Sequence, residues 1–215
     1  MTILALEFSS SRRSVAVARD GNVLAEASEQ TETRGTNAFG LIEKVLTGAK
    51  IEREEISVIA VGLGPGSYTG IRAAVSIAQG WQLARGIKLI GVSSVEAIVA
   101  QAHAEKIFGR VSVVIDAQRN EFYLATFEIL TGKWREIEPL KIVSAAEIQS
   151  RADAGEILIG PGTGKPFSNY RAIFPGAAAT AKLAAEKTNF DDGVLEPIYL
   201  RETNFVKASA HGKSV

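Results

Sequence analysis

The sequence predicts an α/β protein of two similar lobes, each a mixed sheet flanked by helices. Two repeated features carry this prediction. Residues 4–7 (LALE) and 113–116 (VVID) are both apolar strands that end in an acidic residue. A Gly-Pro-Gly turn follows a buried strand in each half, at 64–66 and at 160–162. Because both features occur in the same order in the two halves, they indicate an internal duplication; chance recurrence of a common turn is the alternative.

Apolar or alternating runs bounded by turn residues predict the elements of the first half, namely strands at 2–9, 14–19, 23–29, 55–63 and 88–92, and helices at 37–49, 67–85 and 95–104. The pair Asp20-Gly21 is typical of the tight turn of a hairpin. Ser93 or Ser94, followed by Glu96, matches the pattern of a capping box at the start of the third helix. The first half therefore reads as a hairpin leading into a mixed sheet.

The same criteria predict the elements of the second half, namely strands at 111–116, 121–130, 134–142 and 156–159, and one helix at 145–151. Ser144 is predicted to cap that helix. We therefore expect a first lobe at 1–105, a smaller second lobe at 106–202 and a flexible tail at 203–215.

The composition is that of an ordinary soluble globular protein, with 46% hydrophobic and 22% charged residues in a chain of 215. Lysine plus arginine equals aspartate plus glutamate at 24 each, whereas a domain that binds RNA unaided usually has a basic excess. If nucleic acid is involved, we expect another subunit to supply most of the positive surface. No apolar run approaches the roughly 20 residues of a membrane-spanning helix. The chain has no cysteine, which excludes thiolate chemistry, and we expect a cytoplasmic protein.

The stretch VGLGPGSYTGIR at 61–72 joins a predicted strand to a predicted helix, as phosphate-binding loops do. It lacks the lysine of a Walker loop, and Ser67 stands where a Rossmann loop has its third glycine. Free N–H groups at the helix start, beside Ser67, Thr69 and Arg72, leave a weak contact with an anion or nucleotide open. The alternative is a tight turn that lets a helix of small residues pack closely.

Glu7 and Asp116 end the first strand of each predicted lobe. Two-lobed folds that clamp ATP need glycine in the first turn of each lobe, so that the backbone can approach phosphate. The turns at 8–11 and 117–120 contain no glycine. The two acids are therefore interpreted either as weak nucleotide contacts or as hydrogen-bond acceptors for their own turns.

The helix at 67–85 is apolar over much of its circumference, so it is expected to bury more than one face. One face covers the sheet, and another is predicted to meet the helix at 37–49 and then a partner subunit. Burial wholly within the monomer is the alternative. The residues predicted for the partner interface are Phe39, Ile42, Leu46, Ile71, Val75, Ala78 and Trp81.

Metal and nucleophile chemistry has little support in the sequence. The two histidines are His103, on a predicted helix, and His211, in the tail, and they cannot form a local metal-binding pair. The G-x-S-x-G elbow of serine hydrolases is absent. We therefore expect no metal site and no catalytic residue.

Several of the stretches described above resemble the TsaB family, formerly called YeaZ. The resemblance is carried by ILALEFSSSRRSVAVARDGNVLAE, VGLGPGSYTGIRAAVSIAQGWQLARGIKLIGVSSVEAI, DAQRNEFYLATF and EPIYLR. It extends from Thr2 to about Arg201. It implies the duplicated actin-like or Hsp70-like (ribonuclease H-like) fold, in agreement with the repeat above.

The resemblance also implies a role in making N6-threonylcarbamoyladenosine at position 37 of tRNAs that read codons beginning with A. In that pathway TsaD is the catalytic, metal- and nucleotide-binding paralogue, TsaB its non-catalytic partner, and TsaE an ATPase that joins them. The family associates through its first two helices, with TsaD or with itself, which here are 37–49 and 67–85. We therefore expect a homodimer when the chain is alone, contact with tRNA only through the complex, and ATP or ADP only at an assembled interface, with no cofactor bound tightly.

The chain departs from the family's pattern at two places. Glu7-Phe8-Ser9 replaces an aspartate-containing I-D-T-S, and Thr36-Asn37 replaces H-S. The first departure agrees with weak or absent nucleotide binding, and the second removes a potential metal ligand. Two other functions remain open, an M22-like glycoprotease, a label that related sequences have carried, and a free-standing ATPase of the sugar-kinase type.

Overall fold

The computed structural model describes residues 1–30, 37–162, 167–187, 189–190 and 194–200. The predicted tail at 203–215, with His211, lies outside the described residues. The strands are β1 (Thr2–Glu7), β2 (Arg12–Arg19), β3 (Asn22–Gln30), β4 (Val58–Gly62), β5 (Lys88–Val92), β6 (Gly109–Asp116), β7 (Glu121–Leu130), β8 (Lys133–Ser144), β9 (Ile157–Gly160) and β10 (Tyr170–Ala172). The α-helices are α1 (Ala38–Ala49), α2 (Tyr68–Arg85), α3 (Ser94–Ala104), α4 (Ala145–Asp153) and α5 (Ala177–Glu186).

The strands form two five-stranded mixed sheets of the same topology. Sheet one has the order β3-β2-β1-β4-β5, and sheet two has the order β8-β7-β6-β9-β10. In each sheet the first three strands form an antiparallel meander, while the fourth and fifth lie parallel to the first. Every strand of sheet one therefore has an equivalent in sheet two, which confirms the predicted duplication.

The helices follow the same repeat with one exception. Helix α1 follows the meander of sheet one as α4 follows that of sheet two, and α3 and α5 each follow the last strand of their repeat. The described residues between β9 and β10 contain no equivalent of α2. Among the residues that the structure describes, α2 is thus an α-helix of the first repeat without a counterpart in the second. No helix among the described residues has the length and apolar character that crossing a membrane requires.

Helices α1 and α2 cover one face of sheet one. Asn37 caps α1 by accepting a hydrogen bond from the amide of Gly40, and Ser67 caps α2 by accepting one from Gly70. Gly86, with φ of 67°, ends α2 in the left-handed conformation that glycine adopts at little cost. Both helices direct an apolar stripe at the sheet, where it joins side chains of β1 and β4 in one core cluster.

The helices that end each repeat pack on the sheet of the other repeat. Val95 and Ile98 of α3 lie in the core of sheet two, whereas Ala177 and Ala181 of α5 lie in the core of sheet one. The two helices also contact each other. The apolar stripe of each of these helices is therefore buried on the sheet of the other repeat, so packing does not follow chain order here. The lobe bounds expected at 1–105 and 106–202 stay a prediction.

Several elements differ from the prediction in detail. The strand expected at 55–63 begins only at Val58, and neither β10 nor α5 is predicted above. The expected capping box at Ser93 does not form, since the Ser93 side chain makes no capping hydrogen bond. The neighbouring Ser94 is instead fully buried, and its hydroxyl donates a hydrogen bond to Glu7 at the end of β1.

Candidate functional site

A cleft of about 930 Å³ lies between the two repeats. Its walls are turns that occupy equivalent places in the two sheets. The lining residues are 9–11 after β1, 66–69 at the start of α2, 115–119 after β6, 161–162 after β9, and the tyrosines 123 and 199. Of the sequence features that were predicted to recur, Asp116 and parts of both Gly-Pro-Gly turns line this cleft, whereas Glu7 does not.

The glycines of the loop before α2 let two stretches of backbone meet. A Cβ added at Gly66, where φ is 151°, would lie 2.1 Å from the carbonyl oxygen of Ser9, and one added at Gly70 would lie 2.0 Å from that of Phe8. The amide of Ser67 donates to the same Ser9 oxygen at 2.6 Å. Carbonyl oxygens therefore occupy the inner side of this loop, and acceptors of this kind repel a phosphate rather than cradle it. This favours the tight-turn interpretation of the loop.

The three residues predicted for a weak anion contact have separate surroundings. Ser67 and Thr69 line the cleft, and the Ser67 hydroxyl already accepts the amide of Gly70. Arg72 is not among the lining residues; its guanidinium donates to the hydroxyl of Tyr68 and lies 5.1 Å from the centre of that ring. A contact with an anion therefore stays a prediction for Ser67 and Thr69, while Arg72 is turned towards Tyr68.

Glu7 is fully buried behind the cleft rather than exposed in it. Its carboxylate accepts hydrogen bonds from the amide of Ser9 at 2.9 Å and from the hydroxyl of Ser94 at 3.0 Å. A side chain at residue 62 would collide with it, because a Cβ added to Gly62 would lie 1.9 Å from a Glu7 oxygen. Burial raises the pKa of Glu7, and the hydrogen bonds from Ser9 and Ser94 oppose that effect. The expected contact of Glu7 with a nucleotide is therefore corrected, because the side chain faces the protein interior.

Asp116 makes the equivalent contact in the second repeat. Its carboxylate accepts the amide of Gln118, two residues on, at 2.7 Å, as Glu7 accepts that of Ser9. Asp116 differs from Glu7 in lining the cleft. Both acids thus hold their own turns, which is one of the two interpretations that the sequence left open, and a nucleotide contact stays a prediction for Asp116 alone.

Most of the predicted interface side chains are buried inside the monomer. No side chain in this group is more than 8% exposed, and its members are Ile42, Leu46, Ile71, Val75 and Ala78. The expectation is corrected for these five, because α1 and α2 use them to cover sheet one. Phe39, which is 70% exposed, and the half-buried Trp81 remain accessible to a partner.

The outward side of α2 carries a surface that the sequence reasoning missed. Leu83 is 90% exposed, and Ser76, Gly80 and Ala84 are exposed around it. A Cβ added at Gly80 would have no neighbour within 4 Å. The small residues recur at intervals of four along the helix, and this spacing was the signal that could have identified the outer face. We call these four residues the outer face of α2.

His103 has a structural role in the second repeat. Its Nε2 accepts the amide of Gly132 at 3.1 Å, and its ring lies 5.5 Å from that of Trp134. Among the residues that the structure describes, no three His, Cys, Asp or Glu side chains are grouped so that they could hold a metal ion.

The chain is similar to known proteins over most of its length. The family model described as TsaD, tRNA N6-adenosine threonylcarbamoyltransferase, matches residues 26–202. The chain is 27% identical to the tRNA threonylcarbamoyladenosine biosynthesis protein TsaB of Escherichia coli K12, over 94% of this chain and 95% of that protein. It is 28% identical to the protein of the same name in Bacillus subtilis strain 168, over 68% of this chain and 64% of that one.

A solved structure has the same fold. YeaZ from Pseudomonas aeruginosa aligns with a TM-score of 0.76 and 23% identity, over 93% of this chain and 99% of that chain. Together with the two equivalent sheets, this likeness confirms the duplicated actin-like architecture expected from the sequence.

Proposed function

The chain belongs to the family of the TsaD model and is of the TsaB (YeaZ) kind within it, and from this premise we propose that it is a subunit of the complex that forms N6-threonylcarbamoyladenosine in tRNA. The modified position is 37 of tRNAs that read codons beginning with A. The chain pairs with the catalytic paralogue TsaD, and the ATPase TsaE joins the pair. It acts in the cytoplasm and contacts tRNA only through the complex.

We propose that this subunit contributes no chemistry of its own. The support comes from the loop before α2, where the carbonyl oxygens of Phe8 and Ser9 pack against Gly70 and Gly66, so that acceptors rather than donors face the inner side of this loop. Glu7, which ends β1, is fully buried and accepts the amide of Ser9 in the turn that follows. These contacts stabilise the turn and withdraw from the cleft the groups that a nucleotide-clamping relative would present.

ATP or ADP is proposed to bind only at an interface formed on assembly, and the free chain is proposed to hold no cofactor tightly. Thr69 and Asp116 line the open cleft, where a second subunit would supply further contacts to the nucleotide. Calorimetry with ATP and magnesium on the free chain checks this proposal; micromolar binding would instead support a free-standing ATPase.

The observation that carries the pairing proposal is the outer face of α2. Leu83 is almost wholly exposed, while the small residues beside it would let a partner helix approach closely and bury it. Phe39 of α1 is also exposed. The same surface is proposed to mediate a homodimer when the chain is alone, so that the homodimer and the heterodimer exclude each other.

The test is association with the TsaD paralogue of the same organism, measured by light scattering after size exclusion and by titration calorimetry. Leu83→Glu is expected to weaken binding about 30-fold or more, as truncation of a central interface residue does. Its thermal stability is expected to stay close to that of the wild type, because Leu83 is 90% exposed in the part of the chain that the structure describes. A substitution at Ala78 would not test the pairing surface, because this fully buried residue is part of the core.

Leu130→Glu provides the matched control. Leu130 is also an exposed leucine, at 40%, but it ends β7 in the second sheet, so its replacement is expected to leave binding unchanged. Equal affinity of wild type and Leu83→Glu would contradict the pairing surface. Transfer of threonylcarbamoyl to tRNA, or chelator-sensitive proteolysis, by the purified chain alone would contradict the non-catalytic role.

A further inference from the structure

The described residues after α5 contact the edge and both faces of sheet one. Lys187 donates a hydrogen bond to the carbonyl of Gly91 on the edge strand β5 at 2.8 Å. Phe190 packs on the face of the sheet that α5 covers, whereas Leu195, only 4% exposed, is in the core under α1 and α2 on the other face. Phe190 and Leu195 thus pack on opposite faces of sheet one.

Residues 194–200 then attach to the start of α2. The amide of Ile198 donates to the carbonyl of Leu63, in the loop that leads to α2, at 2.8 Å. The ring of Tyr199 lies 5.5 Å from that of Tyr68, the first residue of α2. Arg72, one turn later, bonds to the Tyr68 hydroxyl. The loop, the first turn of α2 and the end of the described chain therefore form one connected unit.

The anchoring of this first turn, together with the apolar stripe of α2 on sheet one, contributes to where the outer face of α2 points. Leu83 lies fifteen residues after Tyr68, which at about 1.5 Å per residue is about 22 Å along the helix axis. A rotation of about 5° at the first turn would therefore move Leu83 by about 2 Å, enough to disturb a closely packed helix pair.

We propose that residues 194–200 act as a clasp in which Tyr199 and Leu195 position α2 for pairing with the partner subunit. The inference rests on the proposed function for the identity of that partner. Tyr199 is a positioning residue, since it acts through Tyr68 rather than on the partner.

The test compares Tyr199→Ala, Tyr199→Phe and Val143→Ala, a truncation in the core of sheet two that controls for general loss of stability. Amide hydrogen exchange of residues 69–76 is measured in the free chain, and affinity is measured for the TsaD paralogue of the same organism. In Tyr199→Ala, exchange is expected to quicken and affinity to fall, each about two- to tenfold, the value of an aromatic pair. Tyr199→Phe keeps the ring and is expected to match the wild type, and Val143→Ala is expected to alter neither quantity.

Two results would overturn the clasp. The first is unchanged exchange at 69–76 in Tyr199→Ala, which together with a loss of affinity would make Tyr199 a direct contact. The second is equal damage by Tyr199→Phe and Tyr199→Ala. If the wild-type chain does not bind the paralogue, the proposed partner is wrong, while the exchange measurement still decides whether the clasp positions α2.

Discussion

Glu7 illustrates at the scale of a residue how the first turn serves packing. Its carboxylate receives Ser9 from its own turn and Ser94 from α3, so it ties the end of β1 to a helix of the second core. Asp116 holds only its own turn. The two equivalent acids have therefore diverged in burial, although both keep the local hydrogen bond that a strand-ending acid makes.

Glu7→Gln is expected to gain stability relative to the wild type as pH rises. Burial raises the pKa of Glu7 in the folded protein, so the folded state holds the carboxyl proton more tightly than the unfolded chain. That contribution is fully present below the ordinary glutamate pKa and is lost as pH rises through the raised value. Urea unfolding of both proteins at several pH values between about 4 and 8 measures the difference, and parallel profiles would contradict it.

Helix α2 shows at the scale of an element how one helix serves two surfaces. Gly70, near the N-terminus of α2, contacts the backbone of the β1–β2 turn, whereas Gly80 faces outward on the surface proposed for pairing. A propensity scale treats both as helix breakers of about equal cost. Their different roles arise from what lies next to them.

Gly70→Ala and Gly80→Ala are expected to change stability in opposite directions. The first places a methyl 2.0 Å from the carbonyl oxygen of Phe8, where backbone would have to move, at a cost of about 3 kcal/mol. The second meets nothing within 4 Å and is expected to gain about 0.5–1 kcal/mol from helix propensity. Urea unfolding measures both, and a shift of the same sign in the two variants would contradict this account.

Helix α5 escaped prediction because its apolar face consists mostly of alanine. Such a stripe gives little periodic signal, and a helix of ten residues is not stable by propensity alone. It forms because Ala177, Ala181 and Ala184 fit against the inner face of sheet one. Ser14 and Glu26 of the meander also accept the free amides at its start.

At the scale of the molecule, the crossed helices join the two repeats into one packing unit. Helix α3 belongs to the core of sheet two and α5 to that of sheet one, and the clasp adds a further contact to the first sheet. Neither sheet keeps its full core without residues from the other repeat. The two cores are therefore expected to lose their structure together.

The two tryptophans test this coupling, since Trp81 is in α2 and Trp134 is in β8. The variants Trp81→Phe and Trp134→Phe each leave one tryptophan, in the opposite lobe, and its emission is excited selectively over that of the four tyrosines. Urea unfolding of each variant is followed by tryptophan fluorescence and by circular dichroism. The two midpoints are expected to coincide within each variant. A fluorescence midpoint that precedes the other signal in either variant would show lobes that unfold separately.

The sequence by itself determined the repeated strands, the hairpin at Asp20-Gly21, the cap at Ser144 and the duplicated architecture, because alternation, turn glycines and caps are local properties of the chain. Only the tertiary structure decided that Ala78 and Ile71 are core residues while Leu83 is exposed. It also decided that α3 packs on sheet two and α5 on sheet one. An apolar helix pattern states how much surface must be buried. Which neighbour buries it depends on residues far away in the chain, and for α2 these include the turn at Phe8 and Ser9 and the clasp at Leu195 and Tyr199.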